Sequence, residues 1–236
     1  MIRVRVLKRF TLKGTIDNHD PIGVTFKITG GLRPFRLTVI SVNWGRGYDP
    51  GEFKRNVLNV LNRVGDLEYV VLLIQELDEA DGADEHEVFE RLMEPGTTLV
   101  GWVTREPIAV SPGVKVRRKR RTLTMEQGTR IGAPVGTGPR RYLVSCIATI
   151  EGVRIGLANQ HPHRNLTNAK VQHARRRGER VTREVVGELA ELCDLVVHGG
   201  DMNDRAYPKS HPRERIVHTR DLDTIRLVTS SGHATP

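Results

Sequence analysis

Residues 67–75 read Leu-Glu-Tyr-Val-Val-Leu-Leu-Ile-Gln, an almost unbroken apolar run. A strand with one wet face alternates apolar and polar residues, whereas a strand covered on both faces reads continuously. A chain carrying such a run must cover it from two sides, which calls for stacked layers. The segments before it agree. Residues 36–43 (RLTVISVN) are β-branched and apolar and stop at Trp44-Gly45-Arg46-Gly47. Residues 52–64 then place Phe53, Val57, Val60, Leu61 and Val64 near helical spacing. The opening therefore predicts strand, helix, strand.

Ahead of it, residues 1–34 alternate loosely (Val4, Val6, Leu7, then Val24, Phe26, Ile28) between turn signals at Asn18-His19-Asp20-Pro21 and Gly30-Gly31. They read as a hairpin or extension preceding a main domain over 35–236. Downstream, acidic residues 78–94 predict a helix with Val88, Phe89 and Leu92 inside, and 99–110 predict strand broken at Pro107. Between Pro112 and Pro139 the pattern dissolves into a basic run and several glycines, which reads as a basic hairpin or mobile loop. Residues 141–150 and 153–159 predict two strands joined by a tight turn at Glu151-Gly152. A long helix follows over 168–192, polar and Arg-rich first, then apolar at Val181, Val185, Val186, Leu189 and Leu192. Strand 195–198 ends in Gly199-Gly200-Asp201, and 215–219 and 224–228 predict two last strands. No repeated strand–helix–strand period emerges, so periodicity alone supports only alternating strands and helices.

The 236 residues suffice for one sizeable core. No apolar run approaches the roughly 20 residues a membrane span needs, and the charged start Met1-Ile2-Arg3-Val4-Arg5 is unlike a secretion signal. A cytoplasmic protein without membrane insertion is the expectation, with Cys146 and Cys193 as buried reduced thiols, since neither lies in a zinc-type cluster. The net charge of +9 implies a polyanionic partner, nucleic acid first. The exposed phosphate contacts expected from it are Lys115, Arg117, Arg118, Lys119, Arg120 and Arg121, together with Arg175, Arg176 and Arg177. Aromatic residues make up only 5% of the chain, too few for a broad base-stacking platform.

Polar residues stand where the apolar strands stop: Asn43, Glu76, His161, Asp201 with Asn203, and His233. Strand ends converge in α/β proteins, and clefts form there because rigid strands deliver side chains into the loops beyond. Carboxylates, amides and imidazoles in one cleft suit a hard cation and a phosphate. Mg²⁺ keeps most of its waters and takes one or two protein carboxylates, so few acids are needed.

From Arg36 onward the chain resembles the endonuclease/exonuclease/phosphatase family, on VISVNWG, LLIQELD, LANQHPH, HGGDMND, ERIV and a terminal SSGHATP in the family's order. The resemblance implies an α/β fold, a four-layer α/β/β/α sandwich of two packed mixed β-sheets with the site at one edge (deoxyribonuclease-I-like). It implies Mg²⁺ or Mn²⁺ held by Glu76, Asn43 and Asp201, a water aimed by Asp201 with Asn203, and His161 and His233 stabilising charge on the phosphate. Glu214 lies where the family's orienting acid for His233 belongs, with Asp223 as the other candidate. Gly232 replaces a family carboxylate beside His233. A metal-dependent phosphodiester hydrolase, a nuclease on DNA or RNA, is the expected function. A phosphatase on a small or lipid phosphate and a catalytically silent nucleic-acid binder are the alternatives. The oligomeric state is left open.

Overall fold

A computed structural model describes residues 1–14, 16, 20–44, 50–64, 67–77, 79–80, 83–102, 104–125, 141–162, 169–204, 206–220 and 222–229. The loose alternation of the first thirty residues becomes β1 (Arg3–Thr11) and β2 (Ile22–Thr29), followed by β3 (Phe35–Asn43), helix α1 (Pro50–Val64) and β4 (Tyr69–Gln75). The acidic segment divides. A two-residue ladder of β5 (Glu79–Ala80) and β6 (Ala83–Asp84) precedes α2 (Glu85–Leu92), a shorter helix than the acidic stretch suggested, because the apolar stripe that can dock it starts only at Val88 and Phe89. Then come β7 (Thr98–Val100) and β8 (Ile108–Val110), paired antiparallel on either side of the expected break.

The basic run that reads as loop is a regular strand, β9 (Lys115–Met125), antiparallel to β10 (Arg141–Ile150). A bulge near Arg118, whose φ is +49°, and solvent on its exposed positions remove the period-2 pattern that would have marked it. The turn at Glu151-Gly152, with φ of +48° and +79°, joins β10 to β11 (Val153–Gln160) in the left-handed geometry that two-residue hairpins favour. Helix α3 (Ala169–Leu192), β12 (Leu195–Asp201), β13 (Glu214–Arg220) and β14 (Asp223–Thr229) complete the order.

Two six-stranded sheets result, ordered β1-β2-β3-β4-β8-β7 and β13-β14-β12-β11-β10-β9. Each contains one parallel pair, β3 with β4 and β11 with β12, and is otherwise antiparallel. The hairpin of β1 and β2 continues the first sheet, since β2 pairs with β3 along its length.

Inner-face residues of both sheets, among them Val24, Phe26, Leu37, Val39, Val71, Leu73, Val144, Cys146, Leu157, Val197 and Leu227, form the core between them. On the outer face of the first sheet Ile40, Val42, Leu72 and Ile74 pack against Phe53, Val57 and Val60 of α1 and Phe89 of α2. On the outer face of the second, Leu143, Ile147, Ala158 and Val196 pack against Val185, Val186 and Leu189 of α3. Val71 and Leu73 thus face one layer while Leu72 and Ile74 face another, which is why the run at 67–75 is continuous. The architecture is the four-layer α/β/β/α sandwich. Among the described residues no helix is long and apolar enough to cross a membrane, and both cysteines are buried and unbridged.

Candidate active site

The polar strand ends meet because the parallel pairs of the two sheets terminate at the same edge of the sandwich. Asn43 closes β3 and Asp201 closes β12, and the Asn43 Nδ2 donates to Asp201 Oδ2 across the sheets at 2.9 Å. The other oxygen, Oδ1, accepts from the backbone N–H of Asn203 at 2.8 Å. His161, one residue beyond β11, sits between two acids, with Nε2 3.5 Å from Asp201 Oδ2 and Nδ1 3.7 Å from Glu76 Oε1. Asn203 is tied to the same loop by Nδ2 donating to Pro162 O at 2.7 Å. Four residues singled out in the sequence, Asn43, Glu76, His161 and Asp201, are therefore gathered in one cluster with Asn203 at its side.

Local backbone explains why these residues reach it. Glu76 has φ +58°, a left-handed conformation that costs a glutamate energy and survives where its surroundings enforce it. Here Trp44 N–H donates to Gln75 O on one side and Leu77 N–H to Arg105 O on the other. Gly200, at φ +129°, could carry no side chain: a Cβ would lie 2.0 Å from Gln160 O. The Gly-Gly of the motif lets β12 run against β11 closely enough to bring Asp201 beside His161.

Three polar residues that the sequence reading passed over complete the cluster. Arg141, the first residue of β10, places Nη1 2.6 Å from His161 Nδ1 and 3.3 Å from Glu106 Oε1, with Nη2 3.9 Å from Glu76 Oε1. A guanidinium has only donors, so His161 Nδ1 accepts, and in the neutral ring the proton lies on Nε2, facing Asp201. Glu106 is fully buried, and burial pushes its carboxyl up to about 7 against the pull of Arg141 and Arg105. Asp223 opens β14 directly opposite Asp201 in the ladder, 4% exposed, with Oδ1 accepting from the Ser41 hydroxyl at 3.0 Å. Beneath the cluster Gln75 Nε2 donates to Asn159 Oδ1 at 2.7 Å, and Asn159 Nδ2 donates to Ile74 O at 2.6 Å, so an amide pair stitches the two sheets together where the apolar core ends.

Other expected residues lie elsewhere. Glu214 is not brought to the cluster: it starts β13 opposite Val228, towards the far end of β14, and its carboxylate accepts from Arg226 at 2.7 Å and from the Ser210 N–H at 2.8 Å. Arg175 is 6% exposed on α3, with Nε donating to Glu179 at 3.0 Å, Nη2 to Asp204 at 2.6 Å, and its guanidinium over the Tyr207 ring, so its side chain does not face solvent. Arg176 and Arg177 are exposed on the same helix, and Lys115, Arg117, Arg118, Lys119, Arg120 and Arg121 are exposed on β9. Arg120 meets Glu188 of α3 at 2.7 Å. Gly232 and His233 lie outside the described residues.

Among the described residues no group of three His, Cys, Asp or Glu side chains gathers as a metal cage. The donors that do meet, Glu76 and Asp201 with the Asn43 amide, are hard oxygens, and two carboxylates fit a Mg²⁺ or Mn²⁺ ion that keeps much of its water.

Neither a protein-family model nor a curated protein matches the sequence. Solved structures match the fold. TDP2 from D. rerio, solved with a single-strand DNA product, superposes with a TM-score of 0.55 at 13% identity, covering 84% of this chain and 85% of that one. An endonuclease/exonuclease/phosphatase from Bacteroides vulgatus gives 0.52 at 12%, over 80% and 86%. A mannosyl-6-phosphatase from Bacteroides thetaiotaomicron gives 0.55 at 12%, over 80% and 84%. Of a longer TDP2 chain from Caenorhabditis elegans, this protein spans 63%. The chain has the endonuclease/exonuclease/phosphatase fold, the deoxyribonuclease-I-like sandwich.

Proposed function

We propose that this protein is a divalent-metal-dependent phosphodiester hydrolase acting on nucleic acid. The observation that carries the reading is the meeting of Asn43, Glu76, His161 and Asp201, drawn from four strands of two sheets, within hydrogen-bonding or ion-pair distance at one edge. Isolated turn residues would have no reason to converge. The fold shared with TDP2 and a mannosyl-6-phosphatase supports phosphoester chemistry, and the net charge of +9 with six exposed cations on β9 supports a polyanionic substrate. The buried thiols, pushed up to about 12 at Cys146 and about 11 at Cys193 by desolvation, suit a reducing compartment such as the cytoplasm.

Glu76 and Asp201 with Asn43 would hold Mg²⁺ or Mn²⁺, which supplies Lewis-acid charge to the phosphate when bound. The Asp201 carboxylate, fixed by Asn43 and the Asn203 N–H, aims and deprotonates the attacking water. His161 presents Nε2–H towards the same space as a donor to developing negative charge, its tautomer set by Arg141. His233 supplies a second such donor. Asp223 orients it, in preference to Glu214, whose carboxylate already serves Arg226 and Ser210.

The test is incubation of the purified chain with labelled single- and double-stranded DNA and RNA and with a generic phosphate ester, in Mg²⁺, Mn²⁺ or excess chelator. Cleavage of nucleic acid that chelator stops is expected. Turnover of the small ester alone would instead favour the phosphatase reading, to which the mannosyl-6-phosphatase likeness lends its support. Binding without any turnover would favour the silent binder.

A further inference from the structure

The two sheets end on the same side in open strands, β7 in the first and β9 in the second. Between them lies a cavity lined by Gly101 and Trp102, which follow β7, and by Lys119, Arg120 and Arg121 of β9. Its composition is unusual for this chain. The chain has two tryptophans. Trp44 is 1% exposed and belongs to the core beneath α1, while Trp102 is half-buried, resting on Phe89 at 6.0 Å between ring centroids. An indole supported from one side, at the wall of a cavity carrying three cations, is the arrangement that takes an aromatic ring bearing a phosphate.

Strand geometry aims these cations. Arg121 pairs with Val144, whose side chain lies in the core between the sheets, so Arg121 stands on the face turned towards the first sheet. Arg120 pairs with Ser145 on the opposite face and reaches Glu188 of α3. The bulge between Arg117 and Arg120 inserts one extra residue, which crowds the cations along this stretch of the edge. Gly101, at φ +70°, keeps the β7 side close to β10: a Cβ there would lie 2.6 Å from a Val144 methyl. Along β10, Val144 is three residues from Arg141, so the cavity opens about 10 Å from the catalytic cluster.

We propose that this cavity is a subsite for single-stranded nucleic acid, in which one unpaired base stacks on Trp102 while Lys119, Arg120 and Arg121 contact the adjoining phosphates. It rests on the reading of the substrate as nucleic acid. A duplex keeps its bases stacked inside and offers the cavity only phosphates, so the indole gives the site a preference for unpaired strands.

The full chain is titrated with oligothymidylate, with a duplex of equal length, with polyglutamate and with inorganic phosphate, following tryptophan fluorescence and anisotropy in chelator so that no cleavage occurs. Saturable quenching by oligothymidylate and none by duplex is expected, because buried Trp44 contributes a constant background. Trp102→Ala should weaken oligothymidylate binding about tenfold or more with little change for duplex. Trp102→Phe, which keeps an aromatic face over Phe89 and the fold, should restore most of the affinity, and Arg121→Gln should weaken both nucleic acids while leaving the quenching amplitude at saturation. Equal loss for single strand and duplex in Trp102→Ala, tighter binding of polyglutamate, or quenching by phosphate alone would overturn the subsite. The outcome is separable from the catalytic reading. Quenching that behaves as described in a protein cleaving nothing supports the subsite and sinks the nuclease, whereas metal-dependent cleavage with no Trp102 effect does the reverse.

Discussion

Glu106 and His198 are both fully buried and are shifted in opposite directions, which makes the pH dependence of stability a sharp test of how the interior treats charge. Burial pushes Glu106 from 4.5 up to about 7, and pushes His198, on β12 near Glu214 and Arg226, from 6.5 down to about 4. Between pH 4.5 and 6.5 the folded chain keeps a proton on Glu106 that the unfolded chain has lost, so this group removes stability as pH rises. In the same window the unfolded chain holds a proton on His198 that the folded chain lacks, so this group adds stability as pH rises. Each contributes about 1.4 kcal/mol per pH unit with opposite sign, and the two nearly cancel. Glu106→Gln removes one side of the balance. Relative to wild type, its stability should climb by about 3 kcal/mol from pH 4.5 to 6.5. His198→Leu should fall by a similar amount over that interval, and the double variant should again run parallel to wild type. Urea unfolding at fixed temperature and ionic strength, at pH 4.5, 5.5 and 6.5, reads the difference directly. If the Glu106→Gln and wild-type curves stay parallel, Glu106 is already ionised in the folded state at pH 4.5, the attraction of Arg141 outweighs desolvation, and the argument fails.

Glu76→Gln and Asp201→Asn should each lower metal-dependent hydrolysis by about a hundredfold or more, with thermal unfolding showing both variants folded; unchanged turnover in either would remove it from the mechanism. Gly200→Ala should prevent folding or cost several kcal/mol, since its Cβ would meet Gln160 O at 2.0 Å. By contrast Gly187→Ala in α3, where a Cβ meets nothing within 4 Å, should stabilise by about 0.5–1 kcal/mol in the same urea assay. Gly232→Asp should raise initial rates at limiting Mg²⁺, because it adds a carboxylate beside His233; rates at background in wild type and variant alike, with nucleic-acid binding intact, would favour a silent binder.

The layers were legible because burial on two faces leaves a direct trace in composition. Residues 67–75 could not be so uniformly apolar unless both faces of β4 were covered, and they are, by the inter-sheet core and by α1. Strand β9 left no such trace. Exposed side chains dominate it and a bulge shifts its register, so a regular edge strand reads as a basic loop. Arg175 misled for the opposite reason: three arginines in a row suggest a solvated face, but a helix turns about 100° per residue, and the first of the three falls on the side packed over Tyr207 and Asp204.

The half of the site that the sequence did not reveal has one topological cause. Residues were sought where apolar strands end, and that rule finds Asn43, Glu76, His161 and Asp201, all at or just beyond the ends of the parallel pairs. In a mixed sheet the strands antiparallel to those pairs arrive at the same edge by their beginnings. Arg141 begins β10, which runs against β11; Asp223 begins β14, which runs against β12; Glu106 stands two residues before β8, which runs against β4. Each was visible as a charged residue at the head of an apolar run, and only the strand directions, which periodicity does not report, say that heads and tails share an edge. The same logic separates the two acids weighed for His233. Asp223 and Glu214 both begin strands, but β13 runs against β14, so one strand start lies at the cluster and the other points away from it. An Asp223→Asn variant should therefore depress turnover while Glu214→Gln should register chiefly as lost stability through Arg226; turnover lost selectively in Glu214→Gln, with unfolding unchanged, would contradict the assignment.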